Sequence, residues 1–226
     1  MKTLIHILGP GASGKSTLSH NVLENRSIAE VSTTVQALDQ HRGVTKAEKV
    51  KYTLSGNGIA LAGNWKNGSD SIKSMDALSQ VIELCWKERD TVIVDPVRCS
   101  MKFVDWMRNY GEPLAALFIY LDLSLEENIR RLLARRRDNL LKKGKPSTEK
   151  ALPEKTYENM LAFRDRAKNV WTHASNNYDR FPKQCLVIPE RFSATESATA
   201  AHIALKQLRC EVQAFKEEKA AEALTT

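Results

Sequence analysis

The sequence predicts an α/β chain: a mainly parallel sheet with helices on both faces. Three observations carry that expectation. Short apolar runs of strand length, at Lys2–Leu8, Thr91–Val94, 117–121 and 185–188, alternate with longer stretches of helical periodicity. Such alternation gives parallel strands joined by crossover helices. The first run stops abruptly in Gly9-Pro10-Gly11-Ala12-Ser13-Gly14-Lys15-Ser16, and residues 17–24 then read as a helix. Asp95 and Asp122 close two other runs, at carboxyl ends where ligands sit in sheets of this kind.

Between the first helix and the next, residues 28–37 are β-prone and 38–43 read as a turn. Residues 46–51 are polar and read as a possible short helix, and Asn57-Gly58 signals a hairpin between 52–54 and 59–62. Residues 31–70 therefore form a β-rich excursion ending in the polar loop Gly63-Asn64-Trp65-Lys66-Asn67-Gly68-Ser69-Asp70. Helical periodicity runs through 71–89, where Ile72, Met75, Leu78, Ile82 and Cys85 recur, and again through 101–110. Ser124 is placed to cap a helix over 125–138, with Glu126 and Glu127 in its first turn. A basic loop over 140–153 leads to a helix over 154–172, and an amphipathic helix over 195–219 closes the chain. Trp86, Trp106 and Trp171 fall in helical patterns and read as core.

A GxxxxGK[ST] match between a strand and a helix is a phosphate-binding loop. Its glycines let the backbone curl with N–H groups inward, and the helix behind adds the positive end of its dipole. Gly11, Ala12, Ser13, Gly14, Lys15, Ser16 and Thr17 are the expected ATP contacts; Lys15 reaches the β- and γ-phosphates, and the Ser16 hydroxyl ligates Mg²⁺. Asp95, closing an apolar strand as a Walker B carboxylate does, is the second expected Mg²⁺ contact. The fold expected is a P-loop NTPase three-layer sandwich: one domain over 1–226 with an Arg-rich lid (125–172) and a small β-rich substrate insertion (31–70).

Charge is concentrated. Between Arg130 and Lys150 nine Lys and Arg face two carboxylates, an excess of +7 that equals the formal net charge of the whole chain. A localised basic patch wants a polyanionic partner. No apolar run approaches the ~20 residues of a membrane span, and the start of the chain lacks a signal-peptide layout. Cys85, Cys99, Cys185 and Cys210 form no CxxC pair and read as reduced, mostly buried thiols of a cytosolic protein.

The order strand, Asp122, helix, Arg-rich loop, helix resembles the lid of P-loop nucleoside, nucleotide and polynucleotide kinases, and no NKxD guanine-reading motif is present. That resemblance implies lid arginines closing over the transferring phosphoryl group: Arg131 and Arg135, four apart on one helix face, with Arg136 as a further ATP contact. The loop GNWKNGSDS resembles the substrate loop of phage kinases that phosphorylate 5-hydroxymethyluracil in DNA. It implies DNA with a modified pyrimidine as partner, host cytoplasm as location, and Asn64, Trp65, Lys66 and Ser69 as acceptor contacts, joined by Arg98. Trp65 is expected to stack on a base and Lys66 to touch a phosphate. Asp39-Gln40-His41-Arg42 is similar to the DxxR of polynucleotide 5′-hydroxyl kinases, which implies Asp39 as base and Arg42 as an acceptor contact.

A carboxylate must take the proton of the acceptor hydroxyl, and Asp70, Asp39 and Asp95 compete for that role. Asp70 has a second reading, as the N-cap of the helix that follows. Two other functions compete with a nucleic-acid kinase: a kinase of a free nucleoside or small metabolite, and an ATP-gated nucleic-acid-binding protein. The sequence leaves the oligomeric state open.

Overall fold

The computed structural model describes residues 1–24, 27–39, 43–96, 100–144 and 154–225. Seven strands form one sheet: β1 (Lys2–Leu8), β2 (Ala29–Asp39), β3 (Val44–Leu54), β4 (Ile59–Leu61), β5 (Thr91–Val94), β6 (Leu114–Asp122) and β7 (Lys183–Pro189), in spatial order β2-β3-β4-β5-β1-β6-β7. The pairs β4·β5, β5·β1, β1·β6 and β6·β7 are parallel, whereas β2·β3 and β3·β4 are antiparallel.

β1 lies at the centre of the parallel part, hydrogen-bonded to β5 from Thr3↔Thr91 to His6↔Val94 and to β6 from Lys2↔Leu114 to Leu8↔Tyr120. Its neighbours are apolar on both faces because helices cover both. Helices α1 (Lys15–Val22) and α6 (Ala194–Thr225) pack Leu18, Val22, Leu205 and Leu208 onto Ile5, Ile7, Ile93 and Leu117. Helices α2 (Met75–Glu88), α3 (Met101–Arg108) and α5 (Glu154–Asn177) pack Ile82, Phe103, Met107 and Val170 onto Leu4, Leu8, Val92 and Phe118. Trp86 is buried in this layer, and Trp106 and Trp171 pack partly buried against it, as expected of core tryptophans.

Helix α4 (Leu125–Leu141) differs from the rest: only its Asn128 is buried, and Leu141 is 55% exposed. It begins where expected, with the Ser124 hydroxyl accepting from the Glu127 N–H at 3.2 Å.

Two expectations change. Residues 46–51 are strand, not helix. Their Lys/Glu-rich composition suits a helix locally, but an eleven-residue register with β2, Ala29↔Leu54 to Asp39↔Val44, puts Val50 and Tyr52 inward on α2 and Lys49 and Lys51 outward. The excursion thus extends the main sheet through β4. Of the cysteines, Cys85 is buried, but Cys185 on the edge strand β7 and Cys210 on α6 are exposed; Cys99 lies outside the described residues. The Asn57-Gly58 hairpin is present between β3 and β4, with Gly58 at φ 82°.

The centre of β1 carries a group that resists protonation. His6 is fully buried beside Phe103 (ring centroids 4.9 Å) and Phe118 (6.2 Å), and neither ring nitrogen has a partner among the described residues. Burial holds its pKa down to about 3, against 6.5 in a model peptide. Below the unfolded value the unfolded chain binds the proton first, so stability falls as pH drops through this window. Going from about pH 7 to about pH 4 is expected to cost the wild type on the order of 3 kcal/mol more than His6→Leu. Denaturant titration at the two pH values measures the difference, and equal losses would remove His6 from the acid response.

Candidate active site

The loop between β1 and α1 is shaped by its hand. Ala12 and Gly14 adopt left-handed φ of 62° and 97° with Ser13 between them, an alternation that turns successive N–H groups onto one concave side. Gly9 has no room for a side chain, since a Cβ there would lie 2.8 Å from Ser13 Oγ and 3.1 Å from Leu121 Cβ. No side chain caps α1, whose N-cap is Gly14, so its first-turn amides suit an anion. Lys15 is buried, and its Nζ donates to the carbonyls of Gly9 (3.1 Å) and Pro10 (3.0 Å), folded over the loop it serves. Ser13 Oγ is buried with no partner among the described residues.

Above this loop lies α4. Asn128 Nδ2 donates to the Gly11 carbonyl, and Arg131 Nη1 donates to the Ser13 carbonyl at 3.3 Å. Arg131 Nε also meets Glu127 at 2.6 Å, and Arg130 binds the same carboxylate. The Arg130 and Arg131 guanidiniums hold the Glu127 carboxyl down to about 2. Arg131 and Arg135 both line a cavity of about 600 Å³ together with Ala12 to Thr17. Arg136, one residue round the helix, is exposed and outside that lining.

Lys66, Asn67 and Asp70 complete the lining of the cavity. Asp70 is exposed in a short 3₁₀ turn, Ser69–Ser71. It is not the cap of the following helix: that role falls to Ser74, whose hydroxyl accepts from the Ala77 N–H at 3.1 Å. The rest of the loop is held from behind. Trp65 donates its N–H to Glu30 at 2.7 Å, accepts at its carbonyl from His20 Nε2 at 2.6 Å, and stacks its indole on the His20 ring at 3.9 Å. One indole face, expected for a nucleobase, is therefore taken by the chain's own imidazole. Asn64 closes the loop on itself, Oδ1 accepting from the Asn67 N–H. Ser69 is buried and bonds Asp95 in both directions. Both thus build the loop and do not line the cavity.

Asp95 ends β5 as expected. Among the described residues its carboxylate meets Ser19 Oγ at 2.9 Å and the Ser69 N–H at 2.8 Å. Ser16 lines the cavity and fits Mg²⁺, which takes one or two protein oxygens beside phosphates and waters. No cluster of three His, Cys, Asp or Glu is present among the described residues to make an all-protein cage. The Asp39 side chain, Arg42 and Arg98 lie outside what is described.

A second cavity, of about 300 Å³, shares Ser13, Gly14, Thr17 and Arg131 with the first and extends between Leu123, Ile188 and Phe192. Glu190 lines it and accepts from the Ser124 N–H at 2.8 Å; bonds from the Ser124 hydroxyl and amide hold its carboxyl below the usual range. Sequence reasoning missed this cavity, and it missed Asn128 and Glu127. A signal existed for Asn128: a poor helix former inside the first two turns of the helix, three residues before Arg131.

A family model described as an AAA domain matches residues 5–183, from β1 through α5 to the first residue of β7. The chain belongs to that family, one of P-loop NTPases that includes nucleotide kinases. No curated protein matches it.

Lys15→Ala tests the loop directly. At about 100 Kd of MgATP the wild type should gain roughly 2.7 kcal/mol against unfolding. The variant should gain none, as read by thermal melts with and without nucleotide; an undiminished gain would take the ammonium out of nucleotide binding.

Proposed function

We propose that the chain is an ATP- and Mg²⁺-dependent phosphotransferase. It moves the γ-phosphoryl group of ATP to a hydroxyl on a nucleic-acid component, 5-hydroxymethyluracil in DNA being the lead acceptor. The observation that carries this reading is one cavity in which the phosphate loop, two lid arginines and a carboxylate on a separate, braced loop face the same space.

The roles follow from the charges. The amides of residues 11–16 and Lys15 hold the β- and γ-phosphates, and the second cavity takes the nucleoside end. Ser16 holds the Mg²⁺, which neutralises charge between the phosphates. Arg131 and Arg135 neutralise the oxygens of the transferring group, the larger part of what a protein contributes to such a reaction. Asp70 accepts the hydroxyl proton, and Lys66 anchors an acceptor phosphate. Residues 31–70 then act as the acceptor insertion and 125–172 as the lid.

Nucleic acid is favoured over a small acceptor by charge that the cavity does not use. Arg130, Arg136, Arg137, Lys142 and Lys143 are exposed outside its lining. Such cations suit backbone phosphates, and a target base inside a duplex would be flipped toward Asp70. A cavity of about 600 Å³ also suits a free nucleoside, which is the second reading.

The test is transfer of label from γ-labelled ATP to duplex DNA with and without hydroxymethyluracil, to free nucleosides, and to water. Label in modified DNA, with acceptor affinity falling steeply as salt rises, is the expected result. Label in nucleosides alone selects the second reading, and slow hydrolysis with no labelled acceptor overturns both. Asp70→Asn should lower turnover by about 10²-fold while keeping the nucleotide-induced thermal gain; unchanged turnover would move the base to Asp39.

A further inference from the structure

We infer that Asp95 is a positioning residue: it locks the Lys66–Asp70 loop to α1 and so sets Asp70 opposite the phosphate loop. The inference rests on the acceptor role just proposed for that loop, but the contacts stand without it.

Asp95 is 2% exposed, and each carboxylate oxygen has its own protein donor. Oδ2 meets Ser19 Oγ, which also lies 3.0 Å from the Lys15 carbonyl, one turn back on α1. Oδ1 takes the Ser69 N–H, while the Asp95 N–H donates to Ser69 Oγ at 3.1 Å. Ser69 and Asp95 therefore exchange two bonds, and a third reaches the helix that carries Lys15. Ser19 is fully buried and Ser69 is 2% exposed, so water does not compete for these groups.

The backbone confirms how closely the loop is drawn in. A Cβ on Gly68 would lie 2.3 Å from Asp95 Oδ1, and one on Gly63 would lie 2.0 Å from the Gly68 carbonyl oxygen. Both glycines have positive φ, 56° and 149°, so the loop closes onto the carboxylate only with glycine at these two places. Asp70 follows Ser69 directly, so the bond that fixes Ser69 also fixes where Asp70 emerges into the cavity.

A positioning carboxylate and a metal-binding one differ in what an amide does to them. In Asp95→Asn, Oδ1 still accepts from Ser69 and the new Nδ2 donates to Ser19 Oγ. In Asp95→Ala, both bonds go. Trp65, on the same loop and stacked on His20, reports docking without any acceptor. With the signal of a Trp65→Phe background subtracted, acrylamide quenching of Trp65 should rise about threefold or more in Asp95→Ala and stay near wild type in Asp95→Asn. Affinity for ATP with Mg²⁺ should stay within about threefold in both variants, and kcat should fall with Asp95→Ala and be rescued by Asp95→Asn.

If Asp95→Ala fails to fold, Ser19→Ala removes one donor and leaves the loop sequence intact; its Trp65 quenching should rise about twofold. An Asp95→Asn protein whose Mg²⁺-dependent ATP affinity drops about tenfold with Trp65 unmoved would overturn the inference in favour of a metal role. Unmoved quenching in both Asp95→Ala and Ser19→Ala would overturn it outright. Absence of a labelled acceptor with Trp65 released would defeat the kinase reading and leave the lock standing.

Discussion

The parallel pairing of β1 with β5 on one side and β6 on the other is the constraint from which the site descends. Parallel strands in register end on the same edge of the sheet. The loop after Leu8, Asp95 after Val94 and Asp122 at the end of β6 are thereby brought to one edge, although more than a hundred residues separate the first from the last. The pairing can hold because both faces are covered. Isoleucines on one face meet α1 and α6, and Leu4, Leu8 and Phe118 on the other meet the α2, α3 and α5 layer. The same dryness isolates His6 from water, so the strand that presents the phosphate loop also carries a group that acid destabilises.

Against that edge, α4 buries only Asn128 and reaches the phosphate loop through Asn128 and Arg131. Glu127 receives both Arg130 and Arg131, which fixes where two of the cations in this region point before any phosphate arrives. Arg130 is exposed while Glu127 and Arg131 are half-buried, so solvent screens part of the attraction, most for Arg130. An incoming triphosphate offers Arg131 more charge than Glu127 does, and the Ser13 carbonyl offers only a dipole. The arginine is thus oriented toward the loop without being committed to it.

The parts of the fold that local pattern determines were legible in the sequence. Apolar runs gave β1, β5, β6 and β7, the Ser124 cap gave the start of α4, and Asn57-Gly58 gave a hairpin. What was not legible depends on partners distant in the chain. Residues 46–51 carry helix-forming Lys, Ala and Glu, and become strand because β2 supplies a register that buries Val50 and Tyr52. Trp65 reads as an exposed aromatic in a polar loop until α1 brings His20 beneath it. Within the site, Lys66, Asp70, Arg131 and Arg135 line one cavity with residues 12–17. Asn64 and Ser69 are found bracing the loop, because in a stretch this rich in small polar residues nothing local separates those that face outward from those that hold the turn together. The second cavity was invisible for a different reason: Leu123, Ile188 and Phe192 look like ordinary core residues, and only strand order places them beside Gly14.

How α4 is attached also settles which groups remain for the phosphates. Asn128 and Arg131 hold the loop by the carbonyl oxygens of Gly11 and Ser13. Across a trans peptide the C=O and the following N–H point in opposite directions. A helix that binds the oxygens of Gly11 and Ser13 therefore leaves the amides of Ala12 and Gly14 out of that attachment. Had the lid been pinned through those N–H groups, it would have competed with its own ligand. Instead the attachment uses the carbonyl poles of these peptides and leaves their N–H poles to the concave side of the loop.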